Sequence, residues 1–317
     1  MNSNLFTKWM IKGLVFILLV LITSTALLML LPPPKLTFSR MFPSKNNLLE
    51  SVIGPRVIVV GGSNVAWGQD SGKLAGLLNK AVINDGLISP FGMRVILNIL
   101  IPYVHSGDIV VISPEYNHFF SNDLEGDDAS LAALIDIYPQ ALQSFNTPQL
   151  FRLPDIYISM VGGKFQGLIN YLLPNADEWK FNRFGDAIYP PGSANTNDTS
   201  LYYYAFISKG QVYNPNVVDV FNRFASQARA KGATVVMVYP PARMNNCILT
   251  TQALFTNLDT YLRNHLEFPI LDHPLDSCFA DEYFYNSEYH LSSDGRQLRT
   301  LQLAKLLINQ GIVKVNH

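Results

Sequence analysis

The chain has little charge and no surplus of either sign. Only 15% of its 317 residues are charged, and 23 basic side chains against 24 acidic ones leave a net charge of −1. That balance lacks the basic field that holds a phosphate backbone, so nucleic acid is excluded as the expected partner. Cysteine is nearly absent. Cys247 and Cys278 are too few for a disulfide framework, and they read equally as one disulfide of an exported domain or as two buried thiols. Neither they nor the acidic residues fall at metal-ligand spacing from His105, His118, His265 or His273, so no metal and no cofactor is expected. Internal repeats and low-complexity tracts are lacking too. Hydrophobic residues make up 48% of the chain, enough for a sizeable core and too many for general disorder.

One long apolar run stands out. Gly13 to Leu31 is broken only by Thr23, Ser24 and Thr25 and ends at Pro32-Pro33-Pro34; about 20 residues of helix cross a bilayer core. A cleavable signal peptide carries a shorter apolar region, about 7–15 residues. The expected organisation is a tail over 1–12, a transmembrane anchor over 13–31, a linker over 32–55 and one folded domain over 56–317. Lys8 and Lys12 precede the run while Lys35, Arg40 and Lys45 follow it, so the positive-inside count does not orient it. The short tail before a single span places the domain on the extracytoplasmic side.

From Arg56 the pattern alternates. Strands are expected at 56–60, 81–84 and 108–113, with helices at about 70–80 and 90–104. After a less regular stretch the alternation resumes: helix 214–231, strand 234–239, helix 251–265, a short strand near Phe268–Leu271 and a last helix over 293–309. Ser292 or Ser293 caps that last helix and Asp294 suits its first turn. The expected fold is α/β, a doubly wound, mostly parallel, flavodoxin-like sheet. Residues of about 115–210 form a helical and loop insertion over the sheet edge, bearing aromatic clusters such as Tyr202-Tyr203-Tyr204.

Open parallel sheets place their ligands at the carboxyl ends of the strands. The first strand, Val57-Ile58-Val59-Val60, breaks into Gly61-Gly62 and delivers Ser63 there; His290 lies just before the last helix. A serine hydroxyl needs a base to become a nucleophile, and an imidazole is the usual one, so these two are the candidate nucleophile and base. The serine is not a Gly-x-Ser-x-Gly elbow, because residues 61–65 end in Val65. Glu115, Arg183 and Arg243 read as candidate substrate-binding groups, the carboxylate at a strand end and the arginines as clamps for an anionic group; Asn64 joins them beside the serine. Asn197-Asp198-Thr199 fits a glycosylation sequon.

Gly61-Gly62-Ser63-Asn64, Gly86 after the second strand, Asn117 after the third and His290-Leu291 with Gly295 stand in the order of four blocks. In this the chain resembles the SGNH (GDSL-like) hydrolase and acyltransferase superfamily over roughly residues 56–310. The resemblance implies an oxyanion hole of the Ser63 and Gly86 backbone N–H groups with the Asn117 amide. Departures are present. Gly-Gly-Ser replaces Gly-Asp-Ser, Pro-Glu-Tyr-Asn-His replaces Gly-x-Asn-Asp, and Ser287 stands three residues before His290 where the family carries aspartate. Asn286 and Glu288 are left as candidates to orient the imidazole. The resemblance and the anchor together imply a membrane-held serine acyl-ester hydrolase or O-acyltransferase of the cell envelope. Its substrate would be a polysaccharide or glycolipid, and a multi-spanning membrane acyltransferase its possible partner. A catalytically degenerate glycan-binding or scaffold protein and a membrane-tethered lipase or esterase are the alternatives.

Overall fold

Short β-branched runs bounded by glycine build the centre of the molecule, seen in a computed structural model that describes residues 3–31, 41–171, 179–190, 193 and 203–314. The sequon at Asn197 and Tyr202 lie outside the described residues. In chain order come α1 (Ser3–Leu30), α2 (Met41–Ser51), β1 (Arg56–Gly61), α3 (Ser63–Ala66), α4 (Ser71–Leu78), β2 (Ala81–Gly86), α5 (Met93–Leu100) and β3 (Ile109–Ser113). The insertion supplies α6 (Asp128–Ile137), α7 (Thr147–Phe151), α8 (Leu153–Tyr171) and a hairpin of β4 (Lys180–Phe181) with β5 (Ala187–Ile188). Then follow α9 (Val217–Ala230), β6 (Thr234–Met237), β7 (Ala242–Arg243), α10 (Met244–Leu249), α11 (Gln252–His265), β8 (Cys278–Phe279) and α12 (Ser293–Asn309).

The main sheet has the order β2-β1-β3-β6, every pair parallel. Beyond β6 the chain returns as a single parallel bridge, Met237 to Ile270, giving the flavodoxin-like order. The strand expected at Phe268–Leu271 shrinks to that bridge because Pro269 has no N–H to donate. Its carbonyl still accepts from Met237 N at 3.0 Å.

Alternation along the strands sorts the core into two layers. Ile58, Val60, Ile83, Val110, Ile112, Val235 and Met237 face one cluster, shared with α2, α5 and α9. Val57, Val59, Val82, Ile109, Val111 and Val236 face the other, shared with α4 and α12. A parallel sheet covered on both faces explains why its strands read as unbroken apolar runs rather than alternating ones. The Ser292 hydroxyl caps α12 by accepting from Gly295 N at 3.3 Å.

Residues 41–55, expected as linker, belong to the folded domain. Met41, Phe42, Lys45 and Leu49 of α2 are buried. Lys45 Nζ donates to the Asn84 carbonyl at 2.7 Å, to Asn84 Oδ1 at 3.2 Å and to the Gly185 carbonyl. Arg56 closes the other end of α2: its guanidinium donates to the carbonyls of Leu49 (2.8 Å), Val52 and Tyr103 (2.6 Å), and pairs with Asp108 at 3.4 Å. Helix carbonyls without intrahelical partners are thus satisfied by a buried cation. Ahead of α2, α1 carries an apolar span, Phe6–Ala26, long enough to cross a membrane and with none of its most apolar window buried. Cys247 and Cys278 form a disulfide.

Glycine is required where β1 and β2 end. A Cβ on Gly61 would lie 2.2 Å from the Ser113 carbonyl oxygen, and one on Gly86 would lie 2.2 Å from Ala66 N. Backbone atoms at that range cannot move aside as a side chain can. Gly86→Ala is therefore expected to lower stability by about 3 kcal/mol or more, an overpacking cost at the upper end of the usual range, read as a fall in Tm of the full chain in detergent. Reduction of the disulfide, which closes a sequence separation of 31 residues, is expected to cost about 3–4 kcal/mol in the chain-entropy account and is read by melting with and without dithiothreitol.

Candidate functional site

Parallel register brings Gly61 level with Gly86 on one side and Ser113 on the other, so Ser63, Gly86 and Glu115 emerge at one edge. Ser63 opens α3 and is half-buried. Its hydroxyl donates to Glu115 Oε1 at 3.2 Å, and the backbone N–H of Asn64 donates to the same oxygen, also at 3.2 Å. Glu115 is only 5% exposed. Burial disfavours its charge and raises its pKa from 4.5 to about 7; the Asn64 N–H opposes this while the Glu288 carboxylate adds to it.

His118 braces the turn that carries this carboxylate, a role the sequence reading did not assign. Glu115 N donates to His118 Nδ1 at 3.1 Å, which leaves the ring proton on Nε2 facing Ser89, whose Oγ is at 3.0 Å and carbonyl oxygen at 3.3 Å. Burial lowers the His118 pKa to about 4, so the ring stays neutral. The signal was the three-residue spacing from Glu115 to His118, a capping box that opens the turn Tyr116–Phe119.

His290 packs against Trp67, which closes the short helix α3 that Ser63 opens. Its ring stacks on Trp67 at 5.7 Å between centroids and meets Trp179 edge-on at 6.0 Å. Nδ1 lies 2.8 Å from Asn286 Oδ1. An amide oxygen only accepts, so Nδ1 carries the proton and Nε2 the lone pair. Asn286 therefore takes the orienting place, with no charge to offer. Burial, then the nearby Arg296 guanidinium, lowers the His290 pKa to about 3. Among the described residues no hydrogen bond joins Ser63 to His290; the serine hydroxyl is directed to Glu115 instead. Among the described residues no hydrogen bond joins Glu288 to the imidazole. Its carboxylate accepts from the Tyr204 hydroxyl and its backbone carbonyl from Arg243 N at 3.1 Å.

The remaining expected site residues are placed otherwise. Gly86 N donates to Asn84 Oδ1 at 2.9 Å, so this N–H is committed and the glycine serves close packing. The Asn117 amide donates to Asp123 Oδ2 at 2.9 Å and to Ser89 Oγ at 3.2 Å, bracing its own loop. Of the expected oxyanion donors, the Ser63 backbone N–H alone has no acceptor among the described residues. Asn64 is fully buried and its amide donates to Ser113 O at 3.0 Å and Oγ at 3.2 Å; it fixes the turn rather than facing a ligand. Arg243 is buried and paired with Asp281 at 3.3 Å, with Tyr203 under its guanidinium. Arg183 sits exposed on the β4–β5 turn against Phe184, and among the described residues the Ser63 hydroxyl bonds Glu115 rather than either arginine. Beside the edge stands an aromatic wall: Trp67 touches Trp179, Tyr189 and Tyr285 at 5.2–5.5 Å, and Arg296 lies over Tyr189 at 4.2 Å. No group of His, Cys, Asp and Glu among the described residues is arranged to hold a metal ion.

No family model and no curated protein matches the chain. A solved structure, protein YxiM from Bacillus subtilis, resembles it with a TM-score of 0.40 at 11% identity, covering 82% of this chain and 58% of that one. This chain thus spans less than two thirds of that neighbour's length.

The raised Glu115 pKa has a thermodynamic consequence of definite sign. The carboxyl titrates near 4.5 when unfolded and near 7 when folded, so the native state keeps an extra proton between those values and stability is lost as pH rises through the window. Glu115→Gln removes that loss. The variant is expected to match the wild type near pH 4.5 and to be more stable at pH 8.5, by on the order of 1–3 kcal/mol, in thermal melts at the two pH values.

Proposed function

We propose that the protein is a membrane-anchored acyl-ester hydrolase or O-acyltransferase with Ser63 as its nucleophile. The observation that carries this is the Ser63 hydroxyl, at the carboxyl edge of a parallel sheet, hydrogen-bonded to a buried carboxylate that titrates near neutrality. A base with a pKa close to working pH is the efficient partner for a weak nucleophile. In the proposed step, Ser63 Oγ bonds to the acyl carbon while its proton passes to Glu115 Oε1. The carbon–oxygen bond to the leaving group then breaks, and the leaving oxygen takes that proton. Water or a sugar hydroxyl resolves the acyl-enzyme by the same route in reverse. The Ser63 N–H is the donor for the developing oxyanion.

The acceptor class is proposed on the aromatic wall. Trp179, Tyr189 and Tyr285, half-buried around the buried Trp67, offer rings of the kind that sugars pack on, which suits a cell-envelope polysaccharide or a glycolipid and agrees with the resemblance to SGNH enzymes. In that reading a multi-spanning membrane acyltransferase supplies the acyl group. The apolar α1 supports an anchor, and the Cys247–Cys278 disulfide supports an oxidising, extracytoplasmic compartment for the domain.

A second reading has its own observation. His290 is clamped between Trp67 and Trp179 without reaching Ser63, an arrangement that also suits a glycan-binding or scaffold protein with no turnover. Fluorophosphonate labelling of the full chain in detergent separates these. Wild type is expected to label and Ser63→Ala not to. The labelling rate is expected to rise with pH through about 7, and to fall about 10²–10⁴-fold in Glu115→Gln. A rate flat from pH 5 to 8 that is lost in His290→Ala would move the base to His290, whose imidazole is neutral over that range. Absence of labelling in folded wild type favours the binding protein.

A further inference from the structure

The insertion presents apolar side chains to solvent at one corner. Phe151, at the end of α7, is 81% exposed, Ile158 on α8 is 67% exposed and Leu150 is 45% exposed. Single exposed apolar residues are ordinary, but three within nine residues of chain mark a surface suited to meet something apolar.

The contacts of α8 with α1 say what that is. The Tyr157 hydroxyl lies 3.1 Å from Ser24 Oγ and 3.3 Å from Thr25 Oγ1. Lys164 Nζ donates to the Leu31 carbonyl at 2.9 Å. Seven residues of α8 thus match seven at the end of α1, so the two helices run side by side in the same direction for about 10 Å. The apolar span of α1 is Phe6–Ala26, which puts Ser24 and Thr25 in its last turn. Tyr157 is therefore level with the edge of the hydrocarbon, and the start of α8, back to Leu153, lies on the membrane side of that level, with Phe151 and Leu150 of α7 two and three residues before it in the chain.

We propose that the α7–α8 corner, through Leu150, Phe151 and Ile158, enters the interfacial layer of the leaflet in which α1 ends, giving the domain a second contact with lipid. The inference rests on reading α1 as a membrane anchor. Polar groups at the corner set its depth. Arg152 pairs with Asp128 at 2.5 Å and donates to the Gly126 carbonyl at 2.9 Å, while Asp155 is exposed on the same turn and keeps the contact at headgroup level. A single spanning helix leaves its domain free to rotate about the helix axis. Two contacts fix the tilt.

The test uses the full chain in phosphatidylcholine–phosphatidylglycerol vesicles, with a nitrobenzoxadiazole fluorophore on a new cysteine. The probe sites are Phe151→Cys, Ile158→Cys, Leu14→Cys in the anchor and Lys305→Cys on α12, which packs on the opposite face of the sheet. The expected result is blue-shifted emission at 151 and 158, quenched by lipids spin-labelled near the headgroup, with Leu14→Cys quenched by deeply labelled lipids and Lys305→Cys by neither. Emission at 151 and 158 that matches position 305 while position 14 is quenched overturns the corner contact and leaves the anchor standing. An unquenched position 14 overturns the anchor and the corner contact with it.

Discussion

The carboxyl end of β1 is crowded from both sides, and the arrangement of the site follows from that crowding. β1 lies between two parallel neighbours, so the chain has to leave the sheet through a gap lined by backbone. At Gly61 and Gly86 that gap leaves no room for even a methyl group, and at Gly62 the next atom out is Glu115 Oε1, 2.6 Å from where a Cβ would stand. Because nothing intervenes, the α3 turn seats directly against the ends of β2 and β3. The Ser63 hydroxyl and the Asn64 N–H then fall on one carboxylate oxygen. The same closeness keeps water from Glu115 and moves its titration toward neutrality.

Buried charge along α2 and its neighbours is held by backbone as much as by opposite charge. Lys45 spends its protons on the carbonyls of Asn84 and Gly185 and on the Asn84 side chain; burial lowers its pKa to about 8, and the same cause raises that of neighbouring Asp85 to about 7. Arg56 does the same for the end of α2. Such groups contribute little as ion pairs, since desolvation offsets much of the attraction. Their effect is positional: each long cation reaches several carbonyls at once and ties α2 to the sheet in one register.

Much of the fold was legible in the sequence because it rests on local signals. The β-branched run before Gly61, the alternation of helices and strands and the serine cap of α12 each declare themselves within a few residues. What escaped depends on tertiary partners. Met41–Ser51 is too polar and too near Pro43 to announce a buried helix, and it becomes one only because Lys45 finds carbonyls from Asn84 and Gly185. The last strand was legible as an apolar segment, yet Pro269 removes the donor that would have extended it. At the site, the order of Ser63, Gly86, Asn117 and His290 along the chain was readable, whereas the direction of each polar group was not. Asn117 turns to Asp123 and Gly86 N to Asn84, local partners that no motif announces, while Ser63 turns to Glu115, 52 residues away in sequence. His118 was visible only as a spacing whose meaning depended on Glu115 being buried.

The site therefore has two halves of unequal tolerance. On the sheet side, a Cβ at position 61 or 86 runs into backbone, and one at 62 runs into the Glu115 carboxylate. On the insertion side, Trp179, Tyr189 and Tyr204 are half-buried or exposed side chains on loops and a short hairpin. The hairpin's turn is tied to β2 through the Phe184 carbonyl, which accepts from Asn84 N at 2.8 Å, but among the described residues the rings themselves make no bond to the sheet. A redesign for a different ligand would leave the glycine rim alone and vary the wall, and drift under selection would run along the same path. The scaffold fixes where chemistry happens while leaving open what is brought to it.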